Sequence, residues 1–183
     1  MDEPDRAPRP SSGRRLTAYH EAGHAVMAYL GGQRITGLEL LDSGELAGTC
    51  TTLRRIPVHL STASLEFLEH HVRCLLAGVV AEARVSGREG WDDACADLDL
   101  AVRLAMRLVG DCERVLPYLE AVRERVEAEL ATSWTAVEAL AEVLLAAGSL
   151  DGAAATAVLE RVLPGGGRPS RPLPWVEAAT GTA

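Results

Sequence analysis

The segment TAYHEAGHAVMAYL, residues 17–30, combines a helical apolar pattern with two histidines one helical turn apart. Its apolar residues recur at spacings of three and four, which is typical of an amphipathic helix. They are Ala18, Ala22, Ala25, Val26 and Tyr29. We predict that Thr17 caps this helix, which then covers residues 18–30 and ends at the Gly31-Gly32 pair.

The remaining pattern predicts a mainly α fold, a helical domain with one small β-hairpin. Short apolar runs at 38–41 and 46–53, separated by Asp42-Ser43-Gly44, indicate the hairpin. The same spacing of three and four predicts further helices. The first of these runs from Ser61 or Ser64 to near Gly87, and the next covers residues 93–109. Another helix starts at Pro117 and ends at Gly148, and it either continues past Ser133 or breaks near it. A last short helix is capped by Asp151 and stopped by Pro164.

The composition fits one domain with two flexible ends. A chain of 183 residues that is 48% hydrophobic can bury a core without disulfides. We predict a disordered N-terminal arm at 1–15, the domain at 16–163 and a flexible tail at 164–183, because the first segment is rich in Pro, Arg and Asp and the last in Gly, Pro and Arg. No apolar run approaches the roughly 20 residues of a membrane-spanning helix, and no signal peptide is visible. We therefore expect a cytoplasmic location and no direct membrane span.

Charge and residue content argue against several functional classes. The net charge of −8 is unsuited to a general nucleic-acid binder. The four cysteines contain no C-x-x-C pair, which argues against a zinc knuckle, a redox dithiol and a disulfide scaffold. All 18 basic residues are arginine, so no lysine is available for a phosphate-binding Walker A loop. ATP hydrolysis within this chain is therefore not expected.

The motif His20-Glu21-Ala22-Gly23-His24 carries the candidate chemistry. Residues i and i+4 of a helix lie about 40° apart around its axis, so the two imidazoles can share one metal ion. Catalytic zinc sites use three protein ligands and keep one open position, where the carboxylate of Glu21 could accept a proton from water. Gly23 costs a helix about 1 kcal/mol relative to Ala unless close packing or metal access requires it. We predict a Zn²⁺ site with His20 and His24 as ligands and Glu21 as general base.

A third ligand is expected from an acidic cluster, which comprises Asp92, Asp93, Asp97 and Asp99. Asp97 is favoured because it shares a helical face with Ala101 and neighbours Leu98, so that its carboxylate can point inward. Asp92 and Asp93 suit a solvated helix start instead.

The other polar candidates have weaker support from the sequence. Glu82 lies in an apolar stretch, where it either orients a ligand histidine, forms a buried pair or has a plain structural role. His70 and His71 are adjacent and point about 100° apart on a helix, so we expect surface or boundary positions and no shared ion. His59 receives no role, and Cys95 is expected to be a small buried residue.

Three segments together resemble the peptidase domain of FtsH-type proteases, the M41 zinc metallopeptidases. They are YHEAGHA at 19–25, CLLAGVVAE at 74–82, which is similar to the family's Gly-x-x-Ala-Glu pattern, and ADLDLA at 96–101, which is similar to its Asn-Asp-Leu-x-x-Ala pattern. Residues 140–163 resemble the family's C-terminal helices. The resemblance spans residues 16–163, implies a mainly helical zinc peptidase and gives the role of third ligand to Asp97.

The resemblance also implies substrates and partners. Members of that family degrade unfolded polypeptides, which an ATPase module feeds into a hexameric chamber. Here Ala96 replaces the usual Asn, and we expect neither an ATPase module nor a membrane anchor in this chain. The predicted function is a zinc-dependent metalloendopeptidase for unfolded polypeptides or peptides, with a separate ATPase partner or a homo-oligomer left open. The alternative is a catalytically silent zinc-binding adaptor or regulator of a protease assembly, against which an intact Glu21 argues.

Overall fold

A computed structural model describes residues 12–40, 48–52, 64–87 and 96–163 of the chain. The fold within these ranges is mainly α, as predicted, with a small antiparallel sheet. Its elements in chain order are α1 Ser12–Leu30, β1 Ile35–Leu40, β2 Gly48–Thr52, α2 Leu65–Ser86, α3 Ala96–Val109, α4 Cys112–Thr132, α5 Trp134–Ala147, β3 Ser149–Asp151 and α6 Gly152–Val162.

Several predictions fall outside the described residues. They concern most of the N-terminal arm, the hairpin turn at 42–44, His59, Ser61, the acidic residues Asp92 and Asp93, Cys95, the helix stop at Pro164 and the C-terminal tail.

The predicted hairpin is formed by β1 and β2, which pair antiparallel with Leu38 opposite Cys50. A third strand, β3, pairs with the other side of β1 and gives the order β2-β1-β3. The sequence did not predict β3, because three residues between a helix end and the next helix carry no measurable alternation. Its pairing places Leu150 opposite Leu38, which is buried, and so attaches the junction of α5 and α6 to the sheet.

The first helix begins at Ser12, before the predicted cap. Thr17 lies inside the helix, where its hydroxyl donates to the carbonyl oxygen of Gly13 at 3.1 Å. The assignment of Thr17 as the cap was therefore wrong, because a threonine hydroxyl can also bond the carbonyl one turn earlier within a helix. Residues 12–15, which were predicted to belong to the disordered arm, are helical.

The long second helix has the predicted ends. The hydroxyl of Ser64 accepts from the backbone N–H of Phe67 at 3.2 Å, so Ser64 rather than Ser61 is the cap. Gly87 ends the helix in the left-handed conformation with φ of 68°. This helix packs against α1, α3 and α4 and is therefore the central element of the described fold.

The fourth helix starts earlier than predicted. The carboxylate of Asp111 accepts from the backbone N–H of Glu113 at 2.9 Å and caps a helix that runs through Pro117. The placement of Pro117 at the first helical position was wrong, because the capping carboxylate satisfies a free N–H at the true start. Of the two alternatives left open at Ser133, a continuous helix or a break, the structure has the break, and α4 and α5 meet there at 77°. The predicted ends at Gly148 and Asp151 are also present.

Helices α1 and α2 pack closely at Gly23. A Cβ atom there would overlap the carbonyl oxygen of Ala77 and lie 2.8 Å from the Cβ of Ala81. Close packing thus explains why a glycine occupies the middle of α1, where its helix propensity is poor. The crossing brings the histidine-bearing part of α1 against the middle of α2.

A buried ion network joins α2 to α4. Arg73, which is 4% exposed, pairs with Glu129, and Arg125 lies 3.2 Å from both Glu129 and Glu69. Glu69 is only 2% exposed. Two positive and two negative side chains therefore compensate one another at this interface, which is the condition under which buried charge is tolerated.

Among the described residues, no single helix is long and apolar enough to cross a membrane, and only the bent pair α4 and α5 meets that requirement when its two helices are taken together.

Candidate metal centre

Three side chains from two helices converge beside α2. The Nε2 atoms of His20 and His24, one turn apart on α1, lie 3.0 Å from each other. Asp97, in the first turn of α3, brings its Oδ2 atom to 3.0 Å from the Nε2 of His20 and to 3.2 Å from the Nε2 of His24. Together these three residues could hold a metal ion.

The triangle of ligand atoms has a size that suits zinc. In a tetrahedral site with bonds of about 2.05 Å, neighbouring ligand atoms are about 3.3 Å apart. The spacings of 3.0, 3.0 and 3.2 Å are close to that value. The three ligand atoms therefore have nearly the spacing of one face of a tetrahedral zinc site.

The other ring nitrogen of each histidine has its own acceptor. The Nδ1 atom of His20 lies 3.1 Å from Oε2 of Glu82, and the Nδ1 atom of His24 lies 2.7 Å from the carbonyl oxygen of Cys74. A ring that donates from Nδ1 presents the lone pair of Nε2 when it is neutral, and such bonds fix the orientation of metal-binding histidines. Both imidazoles are therefore held with Nε2 towards Asp97.

The charges around the two rings favour a cation. Burial lowers the pKa of His20, but hydrogen bonds to Asp97 and Glu82 and the charges of Glu21 and Asp97 outweigh it and raise that pKa to about 10. Burial likewise raises the pKa of Asp97, yet its hydrogen bonds with His20 and His24 and their charges bring it well below the usual range. The carboxylates thus stabilise positive charge between the rings, whether a proton or a metal ion supplies it.

Glu21 lies directly next to these ligands in the chain. Its side chain is buried, with 5% exposure, and its negative charge contributes to the raised pKa of His20. A buried carboxylate beside two histidines can accept a proton from a water molecule or stabilise a nearby cation.

No protein-family model matches this chain. A search of curated proteins also finds no match.

Two members of the acidic cluster, Asp97 and Asp99, lie within the described residues, and they occupy different surroundings. Asp97 faces the histidines, whereas Asp99, two residues further along α3, is exposed. Residues two apart on a helix point about 200° apart, which explains why one faces inward and the other outward. Glu82 had three possible roles: to orient a ligand histidine, to form a buried pair or to be structural. Its hydrogen bond to His20 fits the first of these.

Neither His70 nor His71 belongs to the group of three candidate ligands found among the described residues. His71 is buried and packs on the ring of Phe67 at 4.4 Å, so the expectation of a surface or boundary position was wrong for it. Adjacent residues of a helix point about 100° apart, and His71 lies on the buried side of α2. His70 is half-buried, with Nε2 3.3 Å from Sγ of Cys74, and burial raises the pKa of that thiol to about 12.

Two contributors to the centre were not predicted. The first is the backbone carbonyl of Cys74, which no side-chain pattern could reveal. The second is Gly78, which lies against both imidazole rings. The available signal for Gly78 was a glycine in the middle of an otherwise uninterrupted apolar helix, since such a glycine often has a packing or functional reason.

Proposed function

We propose that this protein is a zinc-dependent metalloendopeptidase in which His20, His24 and Asp97 hold Zn²⁺ and Glu21 is the general base. One observation carries the proposal. Two Nε2 atoms and one carboxylate oxygen converge within 3.2 Å, while the second nitrogen of each ring bonds a separate acceptor. A chance cluster of polar residues has no reason to satisfy both sets of contacts.

The ligand set favours a transition-metal ion over Ca²⁺ and Mg²⁺, which require mostly oxygen ligands. Two imidazole nitrogens and one carboxylate oxygen are typical of catalytic zinc sites, and the H-E-x-x-H spacing on one helix favours zinc within this group. Within the part of the chain that the structure describes, three side chains form the candidate ligand set. Three protein ligands would leave one coordination position for water or substrate, whereas a structural zinc site uses four.

Glu21 supplies the acid–base function in this proposal. Bound zinc would polarise the scissile carbonyl and lower the pKa of water at the open position. The carboxylate of Glu21 accepts the proton of the attacking water and then delivers it to the departing amine nitrogen. Glu82 acts by holding the ring of His20, so that Nε2 keeps its direction.

The proposed substrates are peptides or unfolded polypeptides. The similarity of segments 19–25, 74–82 and 96–101 to the M41 peptidases supports this substrate class. Since residues 1–183 contain no lysine for a Walker A loop, unfolding of a folded substrate would need an ATPase module outside these residues, for example in a separate partner. A homo-oligomer is the second form of assembly that the resemblance suggests.

A catalytically silent adaptor is the alternative function. Such a protein would keep the zinc site for stability and would act within a protease assembly. Glu21 distinguishes the two, because a structural site has no need for a buried carboxylate next to the ligands.

The test compares wild type with Glu21→Gln at equal zinc occupancy, using unfolded casein as substrate. We expect cleavage by wild type and a loss of at least about 100-fold in Glu21→Gln, since general bases contribute roughly 10²–10⁴ to the rate. Glu138→Gln, an exposed position on α5, is the matched control and should retain full activity.

Two results would contradict the proposal. A zinc-loaded wild type that leaves casein and a peptide library intact would favour the adaptor. If Glu21→Gln cleaved as fast as wild type, Glu21 would not be the base. Metal analysis of the purified protein checks the identity of the ion. If the protein did not bind zinc, the proposed mechanism would have no basis.

A further inference from the structure

Gly78 in the middle of α2 lies directly against the imidazoles of the metal centre. A Cβ atom at this position would be 2.5 Å from Nε2 and 2.6 Å from Cε1 of His24, and 2.8 Å from Nε2 of His20. All three distances are below 3.0 Å, which real Cβ contacts essentially never reach. Any side chain here would therefore occupy space that the two rings now use.

The same part of α2 holds the ring of His24 by its backbone. The Nδ1 atom of His24 donates to the carbonyl oxygen of Cys74 at 2.7 Å. In an α-helix this carbonyl also accepts from the N–H of the residue four positions later, which is Gly78. A carbonyl oxygen has two lone pairs and can accept both bonds, provided that the ring can approach the helix backbone. The missing side chain at Gly78 allows that approach.

We propose that Gly78 is a positioning residue of the metal centre. Its bare Cα forms a recess on α2, and this recess lets the rings of His20 and His24 converge on Asp97 while His24 bonds the Cys74 carbonyl. The inference rests on the proposed zinc site, for which it names a residue that binds no metal itself.

Substitutions at Gly23 and Gly78 can distinguish an effect on helix packing from an effect on the position of the metal ligands. A Cβ at Gly23 would collide with the backbone carbonyl of Ala77, which can move only if α1 and α2 move apart. A Cβ at Gly78 would collide with imidazole atoms at the ends of side chains, which can rotate away. Alanine also favours a helix interior over glycine. Substitution at Gly23 should therefore weaken the fold, and substitution at Gly78 should preserve the fold but displace the metal ligands.

The experiment uses the full chain with Gly78→Ala, Gly23→Ala and, as a control, Gly13→Ala. Gly13 is a helical glycine of α1 with open space around its Cβ position. Two quantities are measured for each protein: the dissociation constant for Zn²⁺, by competition with a chromophoric chelator, and the urea midpoint of the zinc-free form.

We expect Gly78→Ala to weaken zinc binding by at least roughly 10–100-fold, the loss typical when a bond that orients a ligand is broken. Its urea midpoint should equal or exceed that of wild type. Gly23→Ala should lower the midpoint, and Gly13→Ala should leave zinc affinity unchanged. If wild type binds zinc and Gly78→Ala binds it equally tightly, this inference fails while the proposed function stands. If wild type binds no zinc, both fail.

A mutant cycle covers the case in which Gly78→Ala lowers the urea midpoint. In a His20→Ala/His24→Ala background both rings that a Cβ at Gly78 would meet are gone, so Gly78→Ala should then no longer lower the midpoint. An equal decrease in both backgrounds would mean that the added methyl group collides with something other than the two rings, and the inference would be overturned.

Discussion

Replacement of Asp97 by asparagine tests the ligand that the sequence predicted least directly, because Asp97 comes from a different helix than the two histidines. The substitution keeps the size of the side chain but removes the anionic oxygen that lies 3.0 and 3.2 Å from the two Nε2 atoms. Zinc sites with four ligands bind with about 10–16 kcal/mol, so one ligand contributes about 3 kcal/mol. At 1.4 kcal/mol per factor of ten, Asp97→Asn should weaken zinc binding by about 100-fold.

The matched control is Asp99→Asn, which makes the same chemical change at an exposed position of the same helix. Zinc affinity is measured by chelator competition, and unfolding is measured with and without zinc. Zinc at 100 times its dissociation constant should stabilise wild type and Asp99→Asn by about 2.7 kcal/mol, but Asp97→Asn by much less at the same concentration. If Asp97→Asn and Asp99→Asn bind zinc within about threefold of each other, Asp97 is not a ligand, since even a lost supporting bond costs more than that.

Two further substitutions test the surroundings of the centre and the fold. Glu82→Ala should weaken zinc binding roughly 10–100-fold, because His20 loses the acceptor of its Nδ1 atom, whereas Glu66→Ala in the exposed first turn of α2 should have no effect. Equal zinc affinities for these two variants would exclude an orienting role for Glu82. Glu129→Gln should lower the free energy of unfolding by about 3 kcal/mol, because Arg73 is left buried without full compensation. In contrast, Glu127→Gln, which breaks an exposed ion pair on the same helix, should cost less than about 1 kcal/mol in urea denaturation. Similar losses in these two variants would show that the network contributes no more than a surface pair.

The apolar periodicity was a reliable guide to the helices but not to their first residues. The pattern predicted the long helix α2 and its end at Gly87, and it left the cap open between Ser61 and Ser64, of which the structure has Ser64. It failed at Thr17, because a threonine hydroxyl can also bond a carbonyl one turn earlier inside a helix, and at Pro117, which lies inside α4 although proline is most favourable in the first helical turn. The position of a helix start depends on which side chain actually reaches a free N–H, and that is a matter of local three-dimensional geometry.

The strand β3 and the burial of His71 illustrate a second kind of limit. A strand of three residues is recognised only by its partner, and the register of Leu150 against Leu38 is a tertiary contact. His71 is buried because its side of α2 faces other parts of the fold, although nothing in its own chemistry requires this.

By itself, the sequence determined that the imidazoles of His20 and His24 would lie on one face of one helix, because a spacing of four residues is nearly one helical turn. It also limited the third ligand to a short acidic segment. Only the tertiary structure decided that Oδ2 of Asp97 approaches the Nε2 atoms of both histidines. It also decided that Glu82 and the carbonyl of Cys74 accept hydrogen bonds from the Nδ1 atoms, and that Gly78 leaves room for the two rings. The physical reason is that periodicity sets directions around one helix axis, whereas distances between helices depend on how closely their backbones pack.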